Sequence, residues 1–155
     1  MVFGPDITEQ LARARADLRL GVPIVLAGSR PVLVMAAETL TPARLTGLLA
    51  MGGEPVLAIS ARRAETLKAR AYDGSFARVL LPRDATLRWV KSIADPADDL
   101  RSPLKGPLAC ARGGDATPHG LAIDLIKSAR LLPAAVILDL ADAGQFAQQN
   151  GLTMI

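Results

Sequence analysis

The sequence predicts an α/β domain in which a mixed β-sheet is covered by helices, and three observations carry that prediction. Helical and strand-like segments alternate along the chain without internal repeats or low-complexity linkers, the order expected when helices pack on a sheet. Residues 134–138 form a continuous apolar run, as expected of a strand covered on both faces. Residues 22–27 and 31–36 are two β-rich runs across a short turn, which read as a hairpin and make the sheet mixed.

Taken in order, the first element is an amphipathic helix over 8–20. Thr8 is its expected N-cap, and Ile7, Leu11, Ala14 and Leu18 form its buried side. Gly21 supplies the left-handed stop. In the hairpin, Gly28-Ser29-Arg30 reads as a turn, because a phosphate cradle needs more glycines and a helix directly behind them. Thr41-Pro42 opens a second helix with a capping residue and a proline at its first position, and Gly52-Gly53 ends it. A strand over 55–59 follows. Ser60 then caps a helix reaching to 68 or 70, and 72–75 is a loop. Residues 76–81 are a further strand, and Asp84 is the expected cap of a helix over 85–93. Residues 94–100 form a polar elbow, 103–107 are irregular, and 108–111 are a short strand containing Cys110, read as a small hydrophobe.

After Gly113-Gly114-Asp115, Thr117 and Pro118 open a helix whose apolar stripe is Leu121, Leu125, Ile126 and Ala129. Lys127 and Arg130 favour its negative end, and Pro133 is expected to stop it ahead of the buried strand. A short helix over 141–149, an αL cap at Asn150-Gly151 and a strand-like terminus over 152–155 complete the chain. That apolar terminus without a polar tail points to a domain cut from a longer protein.

Composition narrows the function classes. A length of 155 residues fits one domain with a real core. The net charge of +3 comes from basic residues spread through helices, and aromatics are only 3%, so neither a basic stripe nor a base-stacking surface for nucleic acid is present. No apolar run approaches the roughly 20 residues that span a bilayer, and 1–6 lack a signal-peptide layout. The single cysteine excludes an internal disulfide and fits a reducing cytoplasm. His119 is the only histidine, placed at a helix start.

Several short segments then occur in a telling order. They are Leu20-Gly21-Val22-Pro23, Ala36-Ala37-Glu38-Thr39, Ala94-Asp95-Pro96, Arg101-Ser102-Pro103, Gly106-Pro107-Leu108, Leu121-Ala122-Ile123-Asp124-Leu125, Leu132-Pro133-Ala134-Ala135 and Phe146-Ala147-Gln148-Gln149-Asn150-Gly151. In this order the chain resembles 3,4-dihydroxy-2-butanone 4-phosphate synthase, and more specifically the synthase-type N-terminal domain fused to GTP cyclohydrolase II in bacterial riboflavin synthesis. The resemblance covers nearly the whole chain. It implies the synthase fold, a homodimer, magnesium in an active synthase domain, and zinc in a linked cyclohydrolase II domain.

The departures from that family bear on chemistry. Its acidic loop, of the pattern Asp-Arg-Glu-Asn-Glu-Gly-Asp, holds magnesium and substrate. Here only Gly28-Ser29-Arg30 joins the two strands, and magnesium needs carboxylate oxygens. Residues 72–81 are too short for two further family loops. The Asp and Thr of the family's following helix fall on Ala85 and Trp89. The family's metal-binding histidine falls on Pro118 and its glutamate on Gly120, leaving His119 one residue off, about 100° around a helix. His119 is therefore expected to be a surface or cap residue whose mutation costs little. Arg83, Arg101 and Arg112 remain as phosphate-binding candidates, and Asp84 and His119 as a vestigial site.

The resulting expectation is a non-catalytic structural or dimerising domain of a cytoplasmic GTP cyclohydrolase II protein, with no catalytic residue, cofactor or metal of its own. Two alternatives stand beside it. One is a sugar-phosphate or nucleotide-binding regulatory module. The other is an active magnesium-dependent lyase using His119, Asp115 and Asp84.

Overall fold

The computed structural model describes residues 2–100 and 107–155. Six strands, β1 (Ile24–Leu26), β2 (Val32–Ala36), β3 (Val56–Ser60), β4 (Phe76–Leu80), β5 (Cys110–Ala111) and β6 (Ala134–Asp139), form one sheet in the order β1-β2-β6-β3-β4-β5. Every pairing between these strands is antiparallel. The parallel component of the expected mixed sheet is confined to one bridge, Val25 to Met154, through which the chain end runs beside β1. The predicted hairpin is β1 with β2, in register Ile24 to Val34 and Leu26 to Val32.

Among the described residues, six α-helices pack on the sheet: α1 (Ile7–Leu20), α2 (Pro42–Ala50), α3 (Ala61–Thr66), α4 (Leu87–Ala94), α5 (Thr117–Ser128) and α6 (Ala143–Asn150). They cover both faces of the sheet. One core layer joins Ala14 and Leu18 of α1 and Ala122 and Ile126 of α5 to Val32, Val34, Ala135 and Ile137. The other joins Leu45, Leu48, Ala64, Val90, Ile93 and Ala147, from the remaining helices, to Leu33, Met35, Val136 and Leu138. Successive β6 side chains enter opposite layers, so the uninterrupted apolar run follows from burial on both faces even though both neighbours are antiparallel. Each fully buried aliphatic side chain of this kind contributes about 1.5–3 kcal/mol over leaving it in water.

Several helix ends differ from the sequence reading. Asp6, not Thr8, caps α1 in a reciprocal capping box with Glu9, which leaves Ile7 in the first turn and 58% exposed. Thr86 rather than Asp84 caps α4, accepting from the Trp89 N–H. The start of α5 is fixed by Asp115, whose carboxylate accepts from the Thr117 N–H, so Thr117 does no capping. Arg130, in the left-handed region at φ 63°, ends α5 before Pro133 is reached. Lys68, at φ 59°, similarly lies beyond the end of α3. Thr41, Ser60 and Gly21 serve as expected, with Gly21 at φ 81°.

Candidate functional site

A cluster of charged groups lies under the start of α5, assembled from four parts of the chain. In β4, Ala77 and Val79 point into one core layer, so Arg78 points to the α1–α5 side, where it is almost fully buried. It donates through Nε and Nη2 to the two carboxylate oxygens of Asp73 at 2.8 and 3.0 Å, and through Nη2 to the Gly113 carbonyl at 2.8 Å. Bidentate guanidinium–carboxylate geometry is the strongest form of this contact. Arg30, in the β1–β2 turn, makes the matching arrangement from the other side. It donates to both oxygens of Asp139 at 2.9 and 3.0 Å and to the Asp115 carbonyl at 2.6 Å. Asp139 and, above all, its hydrogen bond raise the Arg30 pKa further.

Two arginines from opposite sides thus hold carbonyls of the 113–115 loop, in which Gly113 and Gly114 take φ of 82° and 72°. That loop delivers His119, in the first turn of α5, into the protein. His119 is 2% exposed, and its Nδ1 is buried without a hydrogen-bond partner. Burial first, and then the positive charges of Arg30 and Arg78, lower its pKa to about 4, so it is neutral near pH 7. Asp115, fully exposed, is held below the usual carboxylate range by its hydrogen bonds with Thr117. The expectation of a surface or cap histidine is therefore overturned. Of the apolar stripe predicted for α5, Ile126 and Ala129 are buried and Leu125 packs against the core, but Leu121 is exposed and His119, Ala122 and Ile123 face inward beside them.

The other sequence-derived candidates do not join this cluster. Asp84 is exposed in the turn before α4, and the charges acting on His119 are those of Arg30, Arg78, Asp139 and Asp73. Arg112 is exposed and stacks 5.0 Å from the centre of the Tyr72 ring. Arg83 lines a separate cavity of about 490 Å³ with Leu49, Gly52, Gly53, Glu54, Pro55 and the end of β4. Arg101 lies outside the described residues, as do 103–106 of the irregular stretch. Cys110 sits in β5 as expected, half-buried, with its thiol pKa raised mainly by burial. Sequence reasoning missed Arg30, Arg78, Asp73 and Asp139. A charged residue inside an apolar strand, as at Arg78, was the available signal.

The cluster is a poor host for magnesium. Asp139 and Asp73 have both oxygens engaged by guanidinium groups, and His119 faces those same two cations. Among the described residues no three His, Cys, Asp or Glu side chains converge as a metal site. What the arrangement does chemically is neutralise two carboxylates and fasten a loop.

The fold class is plain: this is an α/β domain with a 3,4-dihydroxy-2-butanone 4-phosphate synthase-like fold. Its fold matches RibBX, a two domain 3,4-dihydroxy-2-butanone 4-phosphate synthase from A. baumannii, with a TM-score of 0.65 and 18% identity over 93% of this chain and 54% of that one. It matches the synthase of Candida albicans equally, with a TM-score of 0.65 and 17% identity over 94% of this chain and 92% of that one. In sequence the chain is similar to GTP cyclohydrolase-2 of Azospirillum brasilense, 29% identical over 150 residues. That match takes in 92% of this chain but only 39% of the curated relative's length. No family model matches the chain.

Proposed function

We propose that this chain is a non-catalytic, structural and dimerising domain of a cytoplasmic GTP cyclohydrolase II protein in riboflavin biosynthesis, joined covalently to the cyclohydrolase domain. The observation that carries this reading is the Arg30 turn. Where the synthase family is expected to hold an acidic, magnesium-binding loop, the five residues 27–31 close the hairpin and present a cation already bonded to Asp139 and Asp115. The two positions matching the family's histidine and glutamate are Pro118 and Gly120, and the adjacent His119 is buried and neutral. The family resemblance supports dimerisation. The cyclohydrolase partner follows from the Azospirillum brasilense match, and that partner domain would carry the zinc. No helix among the described residues is long and apolar enough to cross a membrane.

Two experiments test the reading. Incubated with ribulose 5-phosphate and magnesium, the protein should release no formate; release that His119→Ala abolishes would establish the active lyase instead. In sedimentation the domain should be a dimer, and its deletion should lower the cyclohydrolase rate of the parent protein. A monomer at high micromolar concentration, with the rate unaffected by deletion, rejects the structural role. The cavity beside Arg83 favours a second reading, a regulatory module for a sugar phosphate or nucleotide. Calorimetry with ribulose 5-phosphate, GTP and flavin mononucleotide decides it, and flat titrations at millimolar ligand remove it.

A further inference from the structure

A groove of about 500 Å³ lies between α2 and α6, away from the arginine cluster. Its floor is Leu33 and Met35 of β2, and its walls include Met51 after α2 and Phe146 of α6. The size and the apolar lining are those of small-molecule sites. Two polar side chains converge on it, and each is held by the backbone. Arg44 donates through Nη1 to the Gly21 carbonyl at 2.7 Å. Asn150 donates through Nδ2 to the Phe146 carbonyl at 2.9 Å, which leaves its Oδ1 as an acceptor.

No carboxylate lines the groove, and no ion pair holds Arg44 among the described residues. A guanidinium fixed beside an apolar floor without a counter-charge complements an anion attached to an apolar body. Gly47 adds an independent observation. It sits inside α2, on the groove wall, where an added Cβ would meet nothing within 4 Å. Neither a positive φ nor a close backbone approach requires glycine there. Its effect is a wider groove, at some cost in helix propensity.

We propose that this groove binds a small amphipathic anion: a flat or aliphatic apolar body resting on Leu33 and Met35, with a carboxylate, sulfonate or phosphate at Arg44 and a donor group toward Asn150. The site is independent of the cluster under α5 and of the reading drawn from it.

The test uses the full-length protein and two fluorescent probes, anionic 8-anilino-1-naphthalenesulfonate and neutral N-phenyl-1-naphthylamine. The anionic probe should bind saturably with one site per chain. Gly47→Leu fills the open space on the groove wall and should weaken both probes at least about tenfold, with an unchanged circular dichroism spectrum and no loss of melting temperature. Arg44→Gln should weaken the anionic probe about tenfold and leave the neutral one within about twofold, and Arg44→Lys should restore part of the difference. Non-saturable binding, or equal binding to wild type and Gly47→Leu, overturns the proposal. So does a result in which neither probe binds while Gly47→Leu dissociates a dimer, because the groove is then a face between copies of the chain.

Discussion

Replacing His119 by leucine tests the chemistry of the cluster most directly. In the folded protein the imidazole takes up a proton only below about 4, whereas in the unfolded chain it does so near its ordinary value of 6.5. Between those values the unfolded state binds more protons, so stability falls as pH falls from about 7 toward 4, and below 4 the loss is complete. The full difference amounts to about 3 kcal/mol. Solvent screening near a helix start reduces the expectation to about 2 kcal/mol. His119→Leu keeps most of the side-chain volume, removes the titration, and removes an Nδ1 that is buried without a partner. At pH 7.5 the variant should match wild type or exceed it by up to about 1 kcal/mol. In urea unfolding, its advantage should then grow by about 2 kcal/mol on going to pH 4.5. Carboxylates common to both proteins cancel in that comparison. A wild-type-to-variant difference that stays constant with pH refutes the account of a buried, neutral histidine. His119→Ala is a different experiment, because it opens a cavity and should cost about 2–3 kcal/mol at any pH above 7.

Arg78→Ala should destabilise the domain by about 3–5 kcal/mol in urea unfolding, since it leaves the nearly buried Asp73 and the Gly113 carbonyl without their donor. Arg30→Ala should cost no more than about 1–2 kcal/mol by the same measurement, because its pair with Asp139 is solvent-screened. Gly21→Ala should lower the melting temperature markedly, by an amount equivalent to at least about 2 kcal/mol. The new Cβ would lie 2.6 Å from the Thr39 carbonyl oxygen, at a φ of 81°. Asp6→Ala removes one half of a capping box and should cost about 1 kcal/mol, while Thr8→Ala should be nearly silent.

The elements themselves were legible because their signals are local. Gly21, Thr41-Pro42 and Ser60 act where they stand, and the period of the apolar residues set the strands and helices. Caps were misplaced where two candidates lay within three residues, as with Asp6 and Thr8 or Asp84 and Thr86. A carboxylate or hydroxyl caps only if the backbone turns at that residue, and the sequence does not say where it turns. The fate of His119 was not legible. One residue of rotation at the start of α5 decides whether it meets water or the sheet, and that rotation is set by the 113–115 loop. The loop in turn is held by Arg30 and Arg78, which come from 85 and 35 residues upstream of the carbonyls they bind. No local pattern encodes a contact of that separation.

The register of the sheet explains why a short turn and a charged plug arrive together. Val32 pairs with Asp139, so a connection that ends at Pro31 must place Arg30 beside the end of β6. A longer loop between β1 and β2 would carry that side chain away and leave Asp139 facing solvent alone. With the short turn, Asp139 becomes the counter-ion of Arg30, the guanidinium reaches the Asp115 carbonyl, and the start of α5 is drawn onto the sheet with His119 inside. Burial first, and then the two cations, hold the imidazole neutral. Both oxygens of Asp139 and of Asp73 are thus already engaged by guanidinium groups beside the imidazole. The five residues between the first two strands, 27–31, thus set both the counter-ion of Asp139 and the position of the start of α5.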